Sequence, residues 1–354
     1  MKLIQDVEFR YNTRVHNVLK MDVQMGLYTE WKSEVSGMCR EMLDCMLTYF
    51  PKIHYVQIKE SEEETEVYFN ENPEVICSKE EMNRYMKYPD GWHVVNINTS
   101  EMSGFKARIK EIISNDMLFK ETILEQYKDD KERLAKVLYQ YGLMHVFYHE
   151  YGHAMDGHIL AERKGEIDNN NQISKALEYN ADLFAVNQMC KRFYFENLNE
   201  ICIDANRITI TPIREEMALM ALAVYIFLDS KYDRNRIDSY YEEIQRSTTH
   251  MVPFLRQYYI VCQFAGIWKG IINLSEENVQ DFNQEVMWYL DAYERAEHGQ
   301  SLLESPFFIG ETSTEIPQTQ TCWNDIYEKL IPYVSPSVGI GKLSVYNVLT
   351  KSFE

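Results

Sequence analysis

The chain has 354 residues, 45% of them hydrophobic and 26% charged, with 36 Lys and Arg against 55 Asp and Glu for a net charge of −19. That apolar content excludes a disordered chain, and only 9 prolines and 14 glycines exclude a collagen-like or linker-dominated one. Surfaces that track phosphates or acidic lipids need concentrated positive charge, so neither nucleic acid nor a membrane is expected as a partner.

Met1 to Glu8 places acids where a signal peptide needs its apolar stretch. The seven cysteines (Cys39, Cys45, Cys77, Cys190, Cys202, Cys262, Cys322) are odd in number and contain no Cys-x-x-Cys pair. That pattern suits a reducing compartment and argues against a disulfide framework or a thiolate zinc site, so the expected location is cytoplasmic. Three regions are expected: 1–100 with a small sheet, a helical core over 101–300, and an irregular C-terminal segment over 301–354 packing on that core.

The first 50 residues show helical spacing, as in Met38, Met42, Cys45 and Met46. From His54 the pattern becomes β-rich: His54–Ile58, Glu66–Phe69 and Trp92–Ile97 read as strands, with a Pro89-Asp90-Gly91 turn before the last. A small antiparallel sheet is predicted there. Beyond Ser100 the reading is almost wholly helical, broken by loops such as Gly165–Asn171. The apolar run Met217–Leu228 is short of the roughly 20 residues that span a bilayer and predicts a buried helix, with Pro212 in its first turn. The tail from Ser305 is rich in proline and reads as irregular, with a short helix around Asn324–Leu330. The fold class is α+β, predominantly helical, the sheet preceding a helical core.

Chemistry concentrates at His149-Glu150-Tyr151-Gly152-His153, an H-E-x-x-H pattern late in a long helical tract. Four residues is about one helical turn, so His149 and His153 share a face and can direct both imidazoles to one metal ion. Glu150 lies about 100° further round, placed for a general base beside a metal-bound water rather than for a ligand. Two histidines and a glutamate at fixed positions arise by chance in roughly one chain in a hundred of this length, so the motif alone is not decisive. The next helical tract carries Glu178-Tyr179-Asn180-Ala181-Asp182. A catalytic zinc wants three protein ligands and an open position, which Glu178 completes. Asp182, one turn on, can accept the free N–H of a ligand histidine and fix its tautomer.

H-E-x-x-H followed one loop later by E-x-x-A-D resembles the gluzincin arrangement of zinc metallopeptidases. His149 to His158 with Glu178 to Ala185 is similar to two bacterial groups, the phage-exclusion Lit peptidases and the ImmA/IrrE-type regulatory peptidases. The resemblance covers about 40 residues. It implies a zinc site and peptide hydrolysis, and in the Lit-like pattern H-E-x-x-H-x-x-x-x-H the last position is His158. His158 is therefore either a site residue or a helix-end histidine beside a C-terminal dipole. The metzincin pattern does not fit, because Gly157 comes one position late and His158 one early for it.

His145, one turn before His149, reads as a packed or supporting histidine. Thr248-Thr249-His250 with Arg256 leads into a further helix, and His250 or Arg256 are candidates to stabilise the oxyanion of amide hydrolysis. The alternative is a helix N-terminus with a surface ion pair, and 25 tyrosines supply other candidates. No phosphate-binding loop, dinucleotide fingerprint or G-x-S-x-G is present.

The expected function is a one-zinc endopeptidase. His149, His153 and Glu178 bind the ion, Glu150 is the base, and the substrate is an intracellular protein or peptide in a regulatory or defence setting. An edge strand of the sheet is a candidate to pair with extended substrate. The rival reading is a zinc-binding regulatory protein without turnover.

Overall fold

The computed structural model describes residues 35, 38, 39, 42, 56–70, 92–119, 123–168, 170–196, 210–230, 250–251, 253–272, 275–299, 301, 306–334, 340–341, 346–347 and 352–353. These fall into two compact units. The first takes Met1–Thr99, His149–Asp168 and Ile326–Lys342, and the second takes Ser100–Tyr148, Asn169–Asp325 and Leu343–Glu354. The chain is predominantly helical with one small three-stranded sheet, in line with the α+β reading.

In the first unit, β1 (Val56–Ser61), β2 (Glu66–Asn70) and β3 (Trp92–Asn98) form that sheet in the order β1-β3-β2. The expected strands are there, but the sheet is mixed: β3 runs antiparallel to β2 and parallel to β1. The last strand enters between the first two, and Asn96 shows how. Its amide, fully buried, accepts from Ser61 Oγ at 2.9 Å and donates to the Glu64 carbonyl at 2.7 Å, so the β1–β2 connection crosses the C-terminal end of β3. His54 and the Pro89-Asp90-Gly91 turn lie outside the described residues, as do Cys45 and Met46. Val35, Cys39 and Met42 are helical and buried, at the i, i+4, i+7 spacing of one face.

The helices are α1 (Thr99–Ile112), α2 (Lys131–Met155), α3 (His158–Arg163), α4 (Asn171–Glu196), α5 (Ile210–Ser230), α6 (Pro253–Ile272), α7 (Glu276–His298) and α8 (Pro306–Leu330). Local chemistry sets their starts. Asp130 Oδ1 caps α2 by accepting from Arg133 N at 3.2 Å, and Asn170 Oδ1 caps α4 by accepting from Gln172 N and Ile173 N at 3.1 and 3.0 Å. In the second unit, α6 packs against α4, α5 and α7. Every residue from Met217 to Leu228 is buried, as its apolar run predicts. Met217 marks a three-helix junction: Trp268 Nε1 of α6 donates to its sulfur at 3.0 Å, and Cys190 Sγ of α4 lies 3.9 Å from it. Gly142 permits a close approach of α1 to α2, since a Cβ there would sit 2.3 Å from the Phe105 ring.

The C-terminal segment departs from its sequence reading. Pro306–Leu330 is one 25-residue helix rather than an irregular tract with a short terminal helix. Pro306 occupies the first helical position, where a missing N–H costs nothing. Pro317 sits inside, and the buried series Ile316, Thr319, Gln320, Trp323 supplies the packing that outweighs it. No helix among the described residues is long and apolar enough to cross a membrane.

Candidate metal centre

Helix α2 carries His145, His149 and His153 at successive turns, all buried, with Glu150 half-buried beside them. The Nε2 atoms of His149 and His153 stand 3.3 Å apart, with ring centroids at 5.0 Å. Two nitrogens each 2.0–2.1 Å from a tetrahedral zinc are separated by roughly 3.3–3.4 Å, so this spacing matches that of two imidazoles sharing an ion. His158, the first residue of α3, is also buried, and its Nδ1 lies 2.9 Å from Nδ1 of His153. His153 belongs to the last turn of α2, so the His158 ring lies against the C-terminal end of that helix. It folds back onto the motif.

Helix α4 presents two carboxylates one turn apart. Glu178 Oε2 meets His250 Nε2 at 3.0 Å, with side-chain exposures of 18% and 41%. Asp182 is wholly buried and heavily engaged. Arg256 of α6 grips it with both arms of the guanidinium, Nε to Oδ2 at 2.9 Å and Nη2 to Oδ1 at 2.7 Å. Tyr259 of α6 donates its hydroxyl to the same carboxylate, and His145 Nε2 lies 3.4 Å from Oδ1. Burial alone would lower the Arg256 guanidinium, but the adjacent carboxylate outweighs it and holds the cation well above its ordinary value. Burial first, and then the Asp182 charge, push the Tyr259 hydroxyl well above the usual phenol range, so it stays a donor. The support continues outward: the Tyr179 ring of α4 packs tilted against Tyr259, 4.4 Å between centroids at 49°, and its hydroxyl accepts from Gln320 Nε2 of α8 at 2.9 Å.

Two sets of side chains offer ligand atoms within 4.8 Å of one another and could hold a metal ion: His145, His149 and Asp182, and His149, His153 and Glu178. Their chemistry differs. Both oxygens of Asp182 are committed to a buried cation and a phenol, whereas Glu178 faces a half-exposed imidazole. Imidazole and carboxylate donors suit zinc in either set, but only the second keeps the exposure that a reacting water requires.

Against the sequence reading, Arg256 is neither an oxyanion group nor a surface ion pair, because its guanidinium is buried and spent on Asp182. The imidazole facing Asp182 at 3.4 Å is the supporting histidine, His145. Tyr259 was missed, although it lies three residues after Arg256 and shares its helix face. Tyr179 and Gln320 carried no signal, since nothing in one dimension pairs residues 141 positions apart.

No curated protein and no solved structure matches the chain. Residues 97–246 match the family model described as Peptidase U49, over less than half of the chain. That segment takes in α1 to α5, with His149, Glu150, His153, His158, Glu178 and Asp182, and leaves His250, Arg256 and Tyr259 outside. Over the stretch that carries the histidine motif and both α4 carboxylates, the chain is thus similar to a peptidase family.

Proposed function

We propose that this chain is a zinc-dependent endopeptidase of gluzincin type, with His149, His153 and Glu178 as the ligands of one zinc ion and an intracellular protein or peptide as substrate. The observation that carries the reading is the pair of Nε2 atoms at 3.3 Å, grouped with the Glu178 carboxylate, inside a segment similar to peptidases. Zinc bound there supplies the Lewis acidity that makes water a nucleophile near neutral pH.

The rest falls to the protein's own groups. Glu150, beside His149 in sequence but about 100° round the helix, takes the proton of the attacking water and passes it to the departing amine. His250, the exposed partner of Glu178, hydrogen-bonds the substrate carbonyl oxygen as negative charge develops on it. Asp182, Arg256 and Tyr259 form a fixed polar base for α4, so that Glu178 is presented in one place.

Elemental analysis of the purified protein tests the ligand set. About one zinc per chain is expected, with a marked loss in Glu178→Ala, and a wild type that neither contains nor takes up zinc ends this reading. The Glu150→Gln variant separates it from a zinc-binding protein without turnover. It should keep the metal and lose peptide hydrolysis by about 10²–10⁴-fold. Unchanged cellular function in that variant would favour the silent zinc protein.

A further inference from the structure

Helix α2 ends at Met155, and α3 begins at His158. The reversal between them depends on Gly157, whose φ of +81° is the left-handed conformation that side chains resist. A Cβ at this position would also lie 2.7 Å from the carbonyl carbon and from the Cβ of Tyr333. The glycine therefore lets the chain turn sharply against the 333 backbone, and the turn swings the His158 ring, only 1% exposed, back over His153. The two rings meet edge to face, with centroids 5.0 Å apart at 76°.

His153 thus has a neighbour at each ring nitrogen. Nε2 faces Nε2 of His149 at 3.3 Å, and Nδ1 faces Nδ1 of His158 at 2.9 Å. A metal-binding imidazole is neutral, so a His153 bound through Nε2 carries its one proton on Nδ1. A hydrogen bond at 2.9 Å needs one donor and one acceptor, which makes His158 Nδ1 the acceptor and leaves the His158 proton on Nε2. We propose that His158 is a positioning residue for His153, fixing the tautomer and the rotation of a metal ligand. A carboxylate or a backbone carbonyl usually has this role. This rests on the zinc reading above. The same geometry argues against His158 as a ligand, because the nitrogen it offers faces the side of the His153 ring away from Nε2.

Zinc dissociation constants, measured by chelator competition on the full chain, test the assignment with three variants. His158→Phe keeps the ring volume and removes the acceptor, His158→Ala removes both, and His158→Gln restores an acceptor. Phe and Ala should weaken zinc by about 10–100-fold, and Gln should return the affinity to within a few-fold of wild type. Wild-type affinity in the Phe variant overturns the proposal, and so does a Gln variant as weak as Phe, since the acceptor is then not what matters. Complete loss of metal in all three makes His158 a ligand and overturns it as well. A wild type that binds no zinc defeats this inference and the function above together, whereas a zinc-binding wild type with an indifferent Phe variant defeats this one alone.

Discussion

The stretch 149–158 and the helix pair α4 and α6 both bury polar groups, and they satisfy them in opposite ways. In the first, three imidazoles from ten consecutive residues face one another at 3.3 and 2.9 Å, and the buried Asp156 has an Oδ1 with no hydrogen-bond partner among the described residues. In the second, Asp182 draws a guanidinium and a phenol from 74 and 77 positions away and leaves neither oxygen uncommitted. Ring nitrogens that face one another share at most one proton per pair, and a cation between His149 and His153 can use both lone pairs. The α4–α6 cluster already contains its cation, Arg256. The difference separates a cluster whose nitrogens could share an ion from one whose charges are already paired.

Cutting the cation out of the second cluster gives the largest expected effect. Arg256→Leu leaves Asp182 charged and unpaired in the interior, which should destabilise the protein by about 3–5 kcal/mol in urea denaturation. Replacing Asp182 by Leu in the same chain should recover most of that, since an apolar pair of similar volume is often neutral. Arg256→Leu within about 1 kcal/mol of wild type would mean the network does not anchor α4, and the contrast between the clusters would fail.

The same contrast explains what could be read in one dimension. The histidine cluster is local, so helical periodicity alone places His149 and His153 together, while the turn at Gly157 that returns His158 appears only in the structure. The carboxylate cluster is not local. Glu178 and Asp182 announce a face of α4, but their partners His250, Arg256 and Tyr259 lie on the far side of α5 in the chain, and nothing in the sequence pairs them. The sheet behaves likewise. The β-rich composition of Glu66–Phe69 and Trp92–Ile97 identifies strands, while the insertion of β3 between β1 and β2 depends on Asn96 reaching the Glu64 carbonyl 32 residues away. In α8 the prolines obscured a periodicity that was present, with Ile316, Thr319, Gln320 and Trp323 on one buried face.

Gly157 gives a smaller and more local test of the histidine cluster. Gly165 also has positive φ, +70°, but nothing lies within 4 Å of the Cβ it would acquire. Gly165→Ala should therefore cost only the left-handed backbone term, about 1–2 kcal/mol. Gly157→Ala adds the clash with Tyr333 and should cost at least a further ~1 kcal/mol, together with weaker zinc binding as His158 is displaced. Thermal unfolding of both variants, side by side, isolates the second contribution. Equal losses at the two sites would show that the Tyr333 contact does not hold the turn.

The smallest effect, and the one most specific to the histidine cluster, concerns Asp156. Burial pushes its carboxyl well above the ordinary carboxylate range, whereas the Asp182 carboxylate is held beside a cation. A folded value raised above the unfolded one means that the folded protein keeps the proton longer. The stability this supports is whole below about pH 4, where the unfolded carboxyl titrates, and is lost as pH rises through the folded value. Asp156→Asn puts a neutral side chain of the same shape in that position and cannot lose a proton. Near pH 4 the variant should match wild type within about 0.5 kcal/mol, and the difference should open in favour of the variant as pH rises. Since every other titrating group is common to both proteins, subtracting the two stability curves isolates this carboxyl. Parallel curves from pH 4 to 8 would mean that Asp156 is as well satisfied as Asp182, and the proposed distinction between an open cluster and a closed one would lose its clearest physical sign.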